Sequence, residues 1–455
     1  MNDSDMAKAW ERFKPVKWWG EIYRALLPLF ATPALLGLAT PILAQGRDPQ
    51  PVTSPVLSPG PPPETTPDNV PADNELGIPL GSFRLYPTLD LRVGYDSNVF
   101  ATQIQPIGSA YEAIRPSVDV RSDWNNHSLN FGAYGAFGFY NNAASQNYQN
   151  FGFSTDGRLD IYRDWYLTMS AAFTGTTEAA GSPDVSQVQT PTVVYAVPLN
   201  LGMFQRFSRL YYQANLSATG LRYSDYSQLN TNSLPAGSRD RNIFGESLRG
   251  GYELREGFDV WVQGALNQRR YLQNVNVAGQ QRDSDGWTVT GGSTLDLGGV
   301  SKLEGFVGYA QQNYFSAGVT TGAVIFGLSG SWNGIPPLTV RPFVLRTINE
   351  TVYTNYQDYV STTLGSEFNY TIQNDWQVNA GVSFSLLDYT PVPGAVGAFQ
   401  HTDNFYRVTL GLMYAIQPQY QIGPLYEFSA ANGPDPNTSQ NFNRHVIMLR
   451  FVAKR

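Results

Sequence analysis

The chain has 455 residues with no Cys and only 15% charged residues, too little charge for a disordered or coiled-coil protein and no thiols for a disulfide-stapled fold or thiolate zinc. A formal net charge of −7 argues against nucleic-acid binding, and no residue pattern calls for a cofactor. Asn, Gln, Ser, Thr and 43 Gly carry the polarity, 13% of the residues are aromatic, and only Lys8, Lys14, Lys17, Lys302 and Lys454 are lysines, the other basic residues being Arg.

Lys14, Lys17 and Arg24 precede an apolar stretch, 25–43, interrupted by Pro28, Pro33 and Pro41. A spanning helix needs about 20 unbroken apolar residues. Residues 1–44 therefore read as a secretory signal peptide, cleaved after Ala39 or Ala44. The alternative is an N-terminal anchor, since Asp3, Asp5, Glu11 and Glu21 are unusual before a signal-peptide core. Ten of the 32 residues from Asp48 to Pro79 are Pro, so 45–80 reads as an extended periplasmic linker: a passive spacer or a docking segment, and too short for a folded plug.

From Gly81 onward the pattern is alternation with period two. Phe83, Leu85, Pro87, Leu89, Leu91, Val93 and Tyr95 fall on one parity, against Arg84, Tyr86, Thr88, Asp90, Arg92 and Gly94. Trp376, Val378, Ala380, Val382, Phe384 and Leu386 repeat it against Gln377, Asn379, Gly381, Ser383 and Ser385. One face suits hydrocarbon and the other water. Segments of this kind begin near Phe83, Tyr111, His127, Tyr148, Trp165, Thr192, Ser208, Arg241 and Phe258, then Gly286, Lys302, Thr321, Leu338, Asp358, Trp376, Thr402, Tyr420 and Asn441. They are longer than the roughly 5–6 residues of soluble strands and match bilayer-crossing ones.

Connections alternate between tight turns, such as Arg163-Asp164 and Arg255-Glu256-Gly257, and long loops, such as Asp96 to Ala110, Ala179 to Pro191 and Ser224 to Asp240. That is the pattern of an outer-membrane barrel, with short periplasmic turns and long outer loops. Trp124, Trp165, Phe258, Trp332, Trp376 and Tyr420 stand beside the short turns, where an aromatic girdle would meet outer-membrane lipid. Leu338 to Val352 is apolar on both parities and Trp261 falls on the inward one, so the fold expected is an all-β, transmembrane, antiparallel up-and-down barrel of 18 or 16 strands over 81–455.

Leu80-Gly81-Ser82-Phe83-Arg84-Leu85-Tyr86-Pro87, Val93-Gly94-Tyr95-Asp96-Ser97-Asn98-Val99-Phe100, Ser122-Asp123-Trp124, Asp156-Gly157-Arg158-Leu159-Asp160, Arg282-Asp283-Ser284-Asp285-Gly286 and Asn443-Arg444-His445-Val446-Ile447-Met448-Leu449-Arg450-Phe451 occur in this order. Over Leu80 to Arg455 the chain resembles the putative β-barrel porin type 2 family of proteobacterial outer-membrane proteins. The resemblance implies an outer-membrane barrel, some relatives resembling partners of exopolysaccharide secretion systems. It carries no functional residue over. Phe451 is followed by Val452-Ala453-Lys454-Arg455, a departure from the terminal aromatic that barrel assembly machinery reads in many such proteins.

By parity the lumen receives Arg84, Asp90, Arg92, Arg115, Asp119, Asp156, Arg158, Asp160, Arg249, Glu253, Arg269, Glu367, Arg407, Glu427 and Arg450. These charges either contact a hydrated solute or pair and stiffen the wall. The barrel region holds 28 acidic against 24 basic residues, with no ring of one sign, so no strong ion selectivity is expected. His127, His401 and His445 fall by a short turn, in a long loop and in the last strand, which does not suit a hydrolytic triad. Asp283 and Asp285 lack the remaining ligands of a calcium loop and read as an Asp-Gly turn. The function expected is passage of hydrophilic solutes, or of a polysaccharide handed over by a periplasmic export apparatus. The alternatives are a structural or surface-interaction barrel with an occluded lumen and, further off, a barrel hydrolase.

Overall fold

A computed structural model describes residues 77–185, 190–224, 235–273, 281–298, 300–315, 319–372, 375–436 and 438–455. Residues 1–76, which hold the expected signal peptide and all but the end of the expected linker, lie outside them. Alternating segments form strands where the parity changes put them: β1 (Ile78–Leu80), β2 (Phe83–Asp96), β3 (Ser109–Ser122), β4 (Ser128–Tyr140), β5 (Tyr148–Tyr162), β6 (Trp165–Thr177), β7 (Val193–Phe207), β8 (Leu210–Tyr223), β9 (Arg241–Arg255) and β10 (Phe258–Tyr271). The second half continues with β11 (Ser284–Asp296), β12 (Ser301–Tyr314), β13 (Thr320–Ile335), β14 (Leu338–Asn349), β15 (Tyr356–Ile372), β16 (Trp376–Pro391), β17 (His401–Gln417), β18 (Tyr420–Asn432) and β19 (Phe442–Lys454).

From β2 onward each strand pairs antiparallel with the next, and β19 returns to β2 through Val446↔Asp96 to Lys454↔Thr88. The result is a closed barrel of eighteen strands, not sixteen. Closure removes the open edges that a lipid solvent cannot tolerate. β1 is an addition unforeseen in the sequence. Its last residue leads into Gly81, at φ +63°, and the chain doubles back so that Ile78 faces Leu85, along the edge of β2 that β19 leaves uncovered.

The alternation sorts as the solvents demand. In β2, Val93 and Tyr95 face outward, 53% and 55% exposed, while Asp90, Arg92 and Asp96 are buried inside. Trp124, in the β3–β4 turn, packs edge-on against Phe83, and Trp165 stacks on Tyr162. Trp376 rests on Tyr414 and Tyr420 on Phe451, while Phe258 takes the Arg255 guanidinium over its ring; Trp332 faces Ser301 across the β12–β13 pair. All six stand at the short-turn end. Gly257, at φ +75°, makes one such turn possible: a Cβ there would stand 2.1 Å from the Asp296 carbonyl oxygen.

The wall departs from a simple cylinder in one place. β13 pairs with β14 only from Ile335↔Leu338 to Phe326↔Arg346, and beyond that point its Thr320–Ile325 end pairs with β12 alone. The ends of β14 and β15 lean into the lumen, where Ile348 and Val360 pack on Ala310 and Ile325 of the wall's inner face. Residues 347–353 and 356–360 are buried on both parities. The run that is apolar on both parities, Pro342 to Leu345, is half-buried within the paired wall, whereas the end beyond it, Thr347 to Tyr353, is covered on both faces although largely polar.

Candidate functional site

The loops at the long-loop end fold inward and meet. The β6–β7 loop starts at Glu178, whose N–H donates to Thr192 O (2.8 Å). Its Asp184 reaches the opposite wall, since β7 and β16 stand nine places apart in the ring of eighteen. Asp184 Oδ1 accepts from Thr351 Oγ1 (2.7 Å) and Tyr389 OH (3.0 Å), and Oδ2 accepts from Val352 N–H (2.9 Å). Gln440 Nε2 donates to Ser182 O and Val185 O, and Arg444 donates to Ala180 O (3.0 Å). Tyr353, Tyr356, Tyr359, Tyr389, Leu387, Phe405 and Phe442 form a buried cluster around this junction. The lumen is therefore bridged at its long-loop end by a loop from one side and the β14–β15 hairpin from the other.

Two loop carboxylates hold the bridge by opposite electrostatics. Burial pushes the Asp184 carboxyl up to about 7, against the pull of its three hydrogen-bond donors. Burial opposes charge at Glu350 too, but the Arg241, Arg269 and Arg282 guanidinium groups hold it down to about 2. Arg241 lies 3.0 Å and Arg269 3.3 Å from its carboxylate, which also accepts from Tyr271 OH. Arg282 donates to the neighbouring Thr351 O (2.9 Å), and Arg239 of the β8–β9 loop pairs with Glu178.

A folded-state pKa raised at Asp184 means that the bridged form binds a proton between about pH 4 and 7 that an open chain would release. Bridge stability is thus expected to fall as pH rises through 7. Open probability in bilayer recordings should be higher at pH 8 than at pH 5.5, and Asp184→Asn should flatten the difference; a pH-independent wild type would contradict this role.

The parity-assigned lumen charges lie at three levels. Toward the short turns, Arg84 pairs with Asp123 (2.9 Å), Asp119 with Arg121 (3.9 Å) and Arg158 with Asp160 (2.7 Å), while Asp156 accepts from Asn130 (2.8 Å). Glu253 pairs with Arg206 (2.7 Å) and Glu367 with Arg341 (3.9 Å). At mid-height Asp90 is shared by Arg92 (2.8 Å) and Arg450 (3.0 Å). Arg249 pairs with Glu304 (3.0 Å) and lies over the inward Trp261, 3.7 Å from the ring centroid. Arg269 belongs to the Glu350 cluster, Arg115 donates to Tyr148 OH (3.2 Å), and Arg407 and Glu427 border a cavity of about 130 Å³.

That cavity lies against the inner wall beside the β6–β7 loop, which contributes Ala179, Ala180 and Pro191 to its lining. At roughly 10–15 Å³ per water-sized sphere it holds on the order of ten such positions. Asp96 and Arg444, also at its rim, are ion-paired with each other. Alternation reaches Arg241, Asp96 and Arg444 in principle, but Glu178, Asp184 and Glu350 stand in loops, where no period marks them.

Some expectations change. His401 is not in a loop: it is the first residue of β17, stacked on Tyr389, with its Nε2 3.5 Å from Asp403. His445 hydrogen-bonds Tyr426 OH (2.9 Å) on the outer face, and His127 Nδ1 accepts from Asp160 N–H (3.0 Å) by a short turn, so the three do not meet. Asp285 and Gly286 are not a turn but lie within β11, and Asp285 pairs with Arg270 (2.6 Å). Asp283 accepts from Tyr271 N–H (2.7 Å).

A family profile described as Putative beta-barrel porin 2 matches residues 71–455. Among solved structures, OpdO of Pseudomonas aeruginosa aligns at 14% identity over 81% of this chain and 97% of its own, with TM-score 0.43. OccAB3 of Acinetobacter baumannii aligns at 10% identity over 82% and 99%, TM-score 0.43. The outer membrane protein opdK of P. aeruginosa aligns at 12% over 82% and 99%, TM-score 0.44. No curated protein sequence matches the chain.

Proposed function

The chain belongs to the Putative beta-barrel porin 2 family, and on that footing we propose that it forms a narrow, water-filled passage for small hydrophilic solutes across the bacterial outer membrane. Its short turns would then face the periplasm, its bridged end the outside, and its girdles the lipid. One observation carries the reading: a polar wall of paired Arg and acidic groups leads to a cavity of about 130 Å³ beside an infolded loop. A barrel of this strand number has room for an aqueous channel. A cavity of about 130 Å³ is sized for a small solute and not for a polysaccharide strand. The chemistry is selection by size and hydrogen bonding, not catalysis.

The buried junction around Asp184 and Tyr389 supports a second reading, in which the lumen stays shut and the loops serve as a surface. Liposome swelling separates the two. Proteoliposomes are expected to swell in arabinose and far more slowly in raffinose. Absence of both swelling and bilayer current would reject the passage in favour of the occluded barrel.

A further inference from the structure

We propose that the parting between β13 and β14 is a lateral port through which a single-chain amphiphile, a polar head on a hydrocarbon tail, passes between the lumen and the outer leaflet, with the β14–β15 end as its lid. This route is separate from the hydrophilic passage and does not rest on it. The last rung between the two strands is Phe326↔Arg346, and over Thr320–Ile325 no described strand pairs with β13 on that edge. A strand rising about 3.4 Å per residue at a tilt near 40° climbs roughly 16 Å from Trp332, at the short-turn girdle, to Phe326, and roughly 31 Å to Thr320. The apolar band of such barrels is about 25 Å tall, so the parting begins at hydrocarbon depth and runs out through the headgroups. Within it Val324 faces Tyr309, whose ring lies 5.9 Å from that of Trp287, an aromatic level suited to the outer interface. Lipid offers an open strand edge no hydrogen bonds, so such an edge persists at this depth only with protein or a cavity behind it. Here the lid stands behind it.

The surfaces on the two sides of the edge match. Outside it, Val324 and Leu328 of β13 face lipid. Inside it, Ile325 and Ala310 of the wall meet Ile348 and Val360 of the lid, with Ala323 and Phe306 packed alongside. Hydrocarbon surface therefore continues from the lipid face, around the unpaired edge, to the inner face, and a molecule following it exposes no apolar group to water on the way. Further out the lid contact turns polar: Asp358, two places from Val360 on the same parity, is buried beside the Thr321 and Tyr314 hydroxyl groups. An amphiphile held in the outer leaflet carries its groups in the same order, chain at depth and head outward. It can replace the lid like for like, hydrocarbon for Ile348 and Val360, and a hydrogen-bonding head for Asp358. The apolar contact is one side chain wide on each lid strand, which suits one chain rather than two.

The full-length protein in phosphatidylcholine liposomes can be irradiated with either of two probes, a palmitic acid with a diazirine in its tail or a phosphatidylcholine carrying the same group, and the labelled residues mapped by mass spectrometry. Both probes should label lipid-facing Leu266 and Val289, which serve as the reference. The fatty acid should also label the inner-face residues Ala310, Ala323 and Ile325, and the phospholipid should not. Ile348→Ala thins the lid contact and should raise the inner-face label relative to Val289 by about threefold or more, while heat-modifiable electrophoretic mobility shows the barrel intact. Fatty-acid label confined to lipid-facing residues in both wild type and variant overturns the port. So does inner-face label that Ile348→Ala leaves unchanged, since the probe then enters by another way. Equal inner-face labelling by the phospholipid overturns it too, by making the parting a place where ordinary membrane lipid sits. None of these outcomes bears on bilayer current or liposome swelling, which test the hydrophilic passage by themselves.

Discussion

Replacing residues 179–191 with Asn-Gly should raise single-channel conductance several-fold. The loop spans the lumen, and its removal frees Thr351, Val352 and Tyr389 of their common partner Asp184. The wall should survive the change, because Thr177 pairs with Val193 and Glu178 N–H already bonds Thr192 O, which leaves a hairpin that a two-residue Asn-Gly turn can close. Glu178 stays in place to hold Arg239. Planar-bilayer recording of the shortened protein, with heat-modifiable mobility as the test of folding, measures the effect. An unchanged conductance would mean that the β14–β15 hairpin alone sets the constriction.

Glu350→Ala should destabilise the protein more than any lumen-charge substitution toward the short turns, by about 3–5 kcal/mol, the usual cost of stranding buried charge. Three guanidinium groups surround this one carboxylate, and Arg241 and Arg269 have nowhere to turn for water. Pairs such as Asp119 and Arg121 stand in open lumen, where screening leaves them about 0–1 kcal/mol. The pH sign is also fixed. Glu350 is held below its ordinary range, so its contribution is complete above about pH 4.5 and fades as pH falls toward 2. Urea midpoints for wild type and Glu350→Ala should converge in acid; a constant gap would deny the carboxylate this role. Asp184 acts in the opposite direction, losing its contribution as pH rises.

The wall was readable because each of its residues answers to a local rule. Phe83, Trp165, Phe258 and Trp376 mark strand starts through the step from turn chemistry to strict alternation, and burial in lipid or water depends only on parity. In Leu338 to Val352 parity stops being informative beyond Arg346, because that end leaves the wall and is buried on both faces, polar Thr347, Asn349 and Glu350 included. The bridge was unreadable for the converse reason. Asp184 and Tyr389 are 205 residues apart in the chain, and nothing periodic in a loop records which distant wall its carboxylate will touch. His401 was misplaced because its strand begins at the aromatic junction rather than at a turn signal. The pairing of Asp90 with Arg450 likewise depends on β19 meeting β2, a contact that follows from closure and not from neighbouring sequence.

That meeting of β19 with β2 also bears on kinetics. The final seam joins the first full strand to the last, with Thr88 opposite Lys454, so it is among the most sequence-distant contacts the chain can make. Contacts of that separation form slowly. Until residue 442 onward is in place, β2 must wait with much of its edge unpaired, a template for association with other chains. Loss of the last strand would therefore do more than shorten the wall by one stave: it would hold every molecule in this sticky, unclosed state.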